Sequence, residues 1–162
     1  MAESIQIPKT LNKAEKYALL LKQLKSLCDG ESNAVANLAN ISAGLQETFD
    51  FFWVGFYLLD PAKNNLVLGP FQGPVACTRI EYGRGVCGTA WKENRTIVVE
   101  DVEKFPGHIA CSALSKSEIV VPIANKNSFI GVLDIDSDKY STFNEADKKA
   151  LIEICEWIAT LF

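Results

Sequence analysis

The residues best suited to chemistry in this chain are three of its five cysteines. Cys77, Cys87 and Cys111 fall at loops or strand ends among small residues, in Ala76-Cys77-Thr78, Val86-Cys87-Gly88 and Ala110-Cys111-Ser112. Their separations of 10 and 24 residues contain no CxxC pair, and His108 is the only histidine. Zinc sites draw on tight Cys or His pairs, so the spacing does not point to a metal. Thiol redox chemistry suits the trio better: one thiolate attacks, a second resolves the oxidised product as a disulfide, and a third relays it. Three inert buried thiols are the alternative. Cys28 and Cys155 lie on the apolar stripes of two predicted helices and read as small core hydrophobes.

Carboxylates form a second group. Asp134 and Asp136 alternate with Leu133 and Ile135. A strand therefore sets both acids on one face, about 7 Å apart. Solvation accounts for Asp138 at a strand end but poorly for Asp134 inside an apolar run. Glu118 opens the neighbouring strand of the same predicted hairpin and can approach the pair. Such a cluster beside a pocket holds a cation such as an ammonium group when ionised. Crowding that raises one pKa would instead make it a proton donor. Trp53 and Tyr57 share a strand face, where they either pack the core or wall a pocket. His108, three residues before Cys111, is placed for a Cys–His pair, although a backbone or water partner is more ordinary for a loop histidine. Gly83-Arg84-Gly85-Val86-Cys87-Gly88 matches GxGxxG, but any helix after it must end near Asn94-Arg95. It reads as glycine-driven loop geometry rather than a dinucleotide fingerprint.

These groups are carried by a recognisable series of elements. Residues 1–10 read as a tail. Ala14, Tyr17, Ala18, Leu21, Leu24 and Cys28 recur at helical spacing, with Asn12 and Glu15 as the cap and Gly30 as the stop. A second helix starts at Ser32 or Asn33, with Val35, Leu38, Ala39, Ile41, Ser42 and Leu45 inside. Phe51–Leu59 and Leu66–Phe71 read as a hairpin around an Asp60-Pro61 turn. Val75–Ile80 reads as a further strand, Tyr82–Gly88 as a loop and Thr89–Glu93 as a short helix. Ile97–Glu100 is a strand, and Val102–Ala110 a loop broken at Pro106-Gly107. Ile119–Ala124 and Phe129–Asp136 make a second hairpin. Thr142 with Glu145 forms a capping box for a closing helix through Ala146, Ala150, Leu151, Ile154, Cys155, Ile158 and Leu161. Hairpins with helices at both chain ends predict an α+β fold with an antiparallel sheet.

Size and composition narrow the function classes. The 162 residues fit one domain, expected over 1–162, with 48% hydrophobic and 22% charged residues, as in ordinary globular proteins. A net charge of -4 lacks the basic footprint of a nucleic-acid binder. The dense apolar run Phe51–Leu59 is far short of the roughly 20 residues that span a bilayer. MAESIQIPKT has no apolar core behind a basic cap, and five cysteines cannot all pair within one chain. These features predict a cytoplasmic protein.

Taken together, the motifs resemble the free methionine-(R)-sulfoxide reductases, a family built on the GAF domain. The resemblance rests on Trp53-Val54-Gly55-Phe56-Tyr57, Gly69-Pro70-Phe71-Gln72-Gly73, Cys77-Thr78-Arg79-Ile80 and the Gly83–Gly88 segment. It continues through Phe105-Pro106-Gly107-His108-Ile109-Ala110-Cys111, Ser117-Glu118-Ile119-Val120-Val121-Pro122 and Gly131-Val132-Leu133-Asp134-Ile135-Asp136-Ser137. Most GAF domains lack the three cysteines, which makes the likeness specific. It implies a GAF-like antiparallel sheet flanked by N- and C-terminal helices, usually in a homodimer. It implies reduction of the R epimer of free methionine sulfoxide, with electrons from thioredoxin and, behind it, NADPH through thioredoxin reductase. No metal or bound organic cofactor is implied. Cys111 would attack, Cys77 would resolve, and Cys87 would be auxiliary. Trp53, Tyr57, Glu118, Asp134 and Asp136 would form the substrate pocket. A non-catalytic GAF ligand-binding or redox-sensing module is the competing reading. A cyclic-nucleotide binder has no support in the residues.

Overall fold

A computed structural model describes residues 4–107 and 112–162. His108 and Cys111, both singled out above, lie outside the described residues. Helices α1 (Lys13–Leu27) and α2 (Ala34–Phe49) lead into strands β1 (Trp53–Asp60), β2 (Asn65–Gln72) and β3 (Arg79–Glu81). Helix α3 (Gly85–Glu93) and strand β4 (Ile97–Val99) follow, then β5 (Ser117–Ala124), β6 (Phe129–Ser137) and α4 (Glu145–Ile158). The strands form one sheet in the order β3-β2-β1-β6-β5-β4, antiparallel throughout. This is the α+β arrangement expected from the sequence.

Strand alternation divides the interior into two cores. Val54, Phe56, Ile119, Val121, Leu133 and Ile135 face the long helices, where Leu20, Leu24, Leu38, Ile41, Leu45, Leu151 and Ile154 meet them. The opposite face carries Trp53, Tyr57, Val120 and Val132, packed against Val86, Ala90 and Trp91 of α3. The three central strands are thus covered on both sides, which explains their near-continuous apolar sequences. Cys28 and Cys155 sit in the first core.

Several local expectations need correction. Helix α4 is capped by Asn144, whose side chain accepts from the Asp147 backbone while the Asp147 carboxylate accepts from Asn144 N–H; Thr142 instead bonds Ser137 and Lys139. The box thus sits two residues later than the Thr142–Glu145 reading. Residues 75–78 are not strand, and Val75 is among the most exposed apolar residues. Helix α3 begins at Gly85 rather than Thr89, so the last four residues of the Gly83–Gly88 segment are helical. A 3-10 turn at Val102–Lys104 interrupts the expected loop. In α2, Val35 and Ala39 are exposed and Asn37 is buried, its amide donating to the Glu31 carbonyl at 3.0 Å. In α1, Ala14 and Ala18 are exposed and Leu20 is buried. Ile5 and Ile7 pack on the first core, so residues 5–7 are docked rather than a free tail.

Candidate active site

The sheet face under α3 opens into a pocket. Its walls come from the three central strands, from the first turn of α3, and from the segments around Pro74–Ala76 and Ser112–Ser115. Every described site residue expected from the sequence, Cys77 apart, lines it: Trp53, Tyr57, Cys87, Glu118, Asp134 and Asp136. Asp138, read as a solvated strand end, is exposed.

Register explains the convergence. Asp136 on β6 lies opposite Trp53 on β1 and opposite Glu118 on β5. Asp134 lies opposite Gly55 and Val120. A Cβ at Gly55 would fall 2.6 Å from the Trp53 ring, so the indole folds over this bare backbone beside Asp134. Trp53 is held by Nε1–H donation to the Pro74 carbonyl at 3.1 Å and by stacking on Phe71, ring centroids 5.4 Å apart. Tyr57 O–H donates to the Cys77 carbonyl at 2.9 Å. From above, Gly88 brings α3 close: a Cβ there would lie 2.4 Å from the Glu81 carbonyl oxygen. That approach seats Cys87 against the acids.

Burial dominates the electrostatics. It pushes the Glu118 and Asp134 carboxyls well above the usual carboxylate range, and the charges of neighbouring acids add to the effect. Asp136 is pushed up to about 6 by burial, opposed by a hydrogen bond from Ser115. Burial, then Asp134 and Glu118, hold the Cys87 thiol protonated far above its ordinary value. Cys87 and Glu118 both hydrogen-bond Asp134. One Asp134 oxygen, Oδ1, remains buried and without a hydrogen-bond partner. Such a floor favours either a shared proton or a bound cation.

Among the cysteines, Cys28, Cys87 and Cys155 are free thiols, whereas Cys77 is disulfide-bonded. Three polar side chains of the lining lie outside the set expected from the sequence: Ser112, Ser115 and Arg84. The pairing of Lys116 with Ser137 sets Ser115 just before β5, a placement visible only in the folded register.

Residues 34–161 match the GAF domain family. GAF domain-containing protein A of Dictyostelium discoideum is 60% identical across 95% of this chain and 96% of its own length. The free methionine-R-sulfoxide reductase of Escherichia coli is 51% identical across 89% of this chain and 87% of its own. The X-ray structure of the free methionine-R-sulfoxide reductase from Neisseria meningitidis, in complex with its substrate, matches with a TM-score of 0.96 at 49% identity, covering 100% of this chain and 96% of that one. No helix among the described residues is long and apolar enough to cross a membrane.

Proposed function

The chain belongs to the GAF-domain family of free methionine-R-sulfoxide reductases, and we propose that it reduces free L-methionine (R)-S-oxide to methionine through a cysteine sulfenic acid and an intramolecular disulfide. The observation that carries this reading is the gathering of Glu118, Asp134 and Asp136 on one pocket floor between the Trp53–Tyr57 wall and Cys87. The two kinds of carboxyl suit two tasks. Asp136, ionised above about pH 6, is an anion for the substrate ammonium. Glu118 and Asp134, whose carboxyls burial and neighbouring acids hold well above the usual range, are the groups suited to supply a proton to the sulfoxide oxygen. A free amino acid carries that ammonium and a peptide-bound residue does not, which accounts for a preference for the free form. The Trp53 and Tyr57 rings wall the space for the S-methyl end.

The chemistry then proceeds on the thiols. The Cys111 thiolate attacks the sulfoxide sulfur as its oxygen is protonated. Attack joins the two sulfurs; the hydroxyl then passes from the substrate sulfur to Cys111 Sγ as the sulfur–oxygen and sulfur–sulfur bonds to the substrate break, so methionine leaves with two added electrons and Cys111 is left as a sulfenic acid. The Cys77 thiol condenses with it, releasing water and forming a disulfide. Cys87 is an auxiliary thiol. A thioredoxin dithiol reduces the disulfide by exchange, with NADPH behind it through thioredoxin reductase and no cofactor bound to the chain. The resemblance supports these roles and a homodimer, and a cytoplasmic setting is proposed alongside them on the cysteine usage of the sequence.

The test is NADPH consumption with thioredoxin, thioredoxin reductase and each epimer of free methionine sulfoxide. Turnover of the R epimer alone, abolished in a folded Cys111→Ser variant, is expected. A reduced, folded protein that consumes no NADPH with the R epimer would overturn the reading in favour of a non-catalytic redox-sensing module.

A further inference from the structure

We propose that the pocket floor is also a binding site for a divalent cation of the zinc class, held by Cys87, Glu118 and Asp134, and that this cation excludes the amino-acid substrate. The three residues come from α3, β5 and β6. Their potential ligand atoms, one sulfur and two carboxyl oxygens, all lie within 4.8 Å of one another, and all three side chains are buried. Ligand atoms sharing one tetrahedral zinc ion lie about 3.5 Å apart, as follows from zinc–sulfur and zinc–oxygen distances of about 2.3 and 2.1 Å. The cluster therefore closes on an ion by small rotations of two carboxyl groups, without movement of the sheet.

A second observation points to a ligand. Asp134 is 7% exposed and lines the pocket, yet its Oδ1 has no hydrogen-bond partner. A buried carboxyl oxygen left in this state is costly, and a cation on the floor would satisfy it. The donor set selects the ion: a thiolate disfavours magnesium and calcium, whereas sulfur with carboxylate oxygen suits zinc or cadmium. Three protein ligands leave a fourth position facing the pocket, the geometry of an open site. The positive charge reverses the local preference of the thiol, which ionises on coordination. Its proton, and any proton held between the two carboxyls, passes to solvent. The electron count of the protein does not change, so the ion blocks the pocket and takes no part in reduction.

The probe is Cd²⁺ added to the oxidised protein, in which Cys77 is disulfide-bonded and the remaining described thiols besides Cys87 are in the helical core. An ultraviolet cadmium–thiolate band that saturates at one ion per chain is expected. Cys87→Ser should remove the band. Asp134→Asn and Glu118→Gln should keep the band but weaken binding by at least about tenfold. Free methionine sulfoxide, which the oxidised protein cannot turn over, should displace the ion. A missing band at millimolar cadmium, a band unchanged in folded Cys87→Ser, or affinity unchanged in both carboxyl variants would overturn the site. Failure of displacement would overturn the competition, which alone depends on the proposed function. That function is judged separately by NADPH turnover without added metal.

Discussion

The phenol of Tyr57 is bonded to the backbone of Cys77, donating to its carbonyl oxygen at 2.9 Å. One residue thus walls the pocket and tethers the segment that carries the proposed resolving thiol. Residues 75–78 have no ladder of their own, although the Leu68 amide donates to the Thr78 carbonyl at 3.0 Å. Together with the bond from Trp53 to Pro74, the tether fixes a stretch that would otherwise wander.

Tyr57→Phe should therefore act on recycling more than on the first chemical step. The ring remains, so single-turnover methionine release should fall less than threefold. Steady-state turnover with thioredoxin should fall about tenfold, the order expected for one lost buried hydrogen bond. Rapid-quench measurement of methionine release beside steady-state NADPH consumption checks this. An equal loss in both would place Tyr57 in the first step instead.

Glu118→Gln should exchange activity for stability. In the folded chain Glu118 ionises well above its ordinary range, so as pH rises past about 4 the unfolded state loses its proton first. Folding stability therefore declines with rising pH through this group. The glutamine variant lacks that penalty. Its melting temperature should match the parent near pH 4 and exceed it at pH 8 by at least about 3 °C, roughly 1 kcal/mol at this size. Turnover should fall at least about 100-fold. Calorimetry at the two pH values with an activity assay checks both.

Ser115→Ala should shift a pH limb. The serine hydroxyl holds Asp136 below the value that burial alone would impose. Its loss raises the Asp136 pKa above about 6. If ionised Asp136 binds the ammonium, KM rises as pH falls through that pKa, and the rise should begin at a higher pH in the variant. A KM profile between pH 5 and 8 measures the displacement; kcat at pH 8 should change little.

Asp147→Ala should loosen the helical layer while sparing the pocket. The carboxylate is 1% exposed and accepts from Tyr17 at 2.9 Å, from Lys13 at 2.7 Å and from the Asn144 backbone at 2.9 Å. It thereby joins α1 to the first turn of α4. Removal should cost about 3 kcal/mol, and Asp147→Asn, which retains an acceptor, about 1 kcal/mol. Urea denaturation gives both values.

What could be read from the chain follows the reach of each signal. Asp134 and Asp136 were legible because strand alternation fixes a face, and Glu118 because a hairpin brings its strand alongside. The face of α2 was not: Asn37 is buried through a bond to the Glu31 carbonyl, while the apolar Val35 stays outside. Hydrophobicity ranks residues but does not say which side is covered. Residues 75–78 look like a strand by composition yet serve as the pocket rim, and Ser115 reaches Asp136 only through tertiary register. The buried Asp147 was missed because its partners lie on α1, far away in sequence.

The pairing of Trp53 with Asp136 joins opposite halves of the chain. Neither half can assemble the pocket alone, because β1 meets β6 only after everything between them has been made. Closing so long a loop is slow relative to forming a hairpin or helix. During synthesis the helical hairpin and β1–β2 can form early, whereas the substrate floor arises only when the final hairpin inserts between β1 and β4. A chain truncated before that hairpin would retain Trp53, Tyr57, Cys77 and Cys87 but no acidic floor, so competence arrives as a single late event in folding.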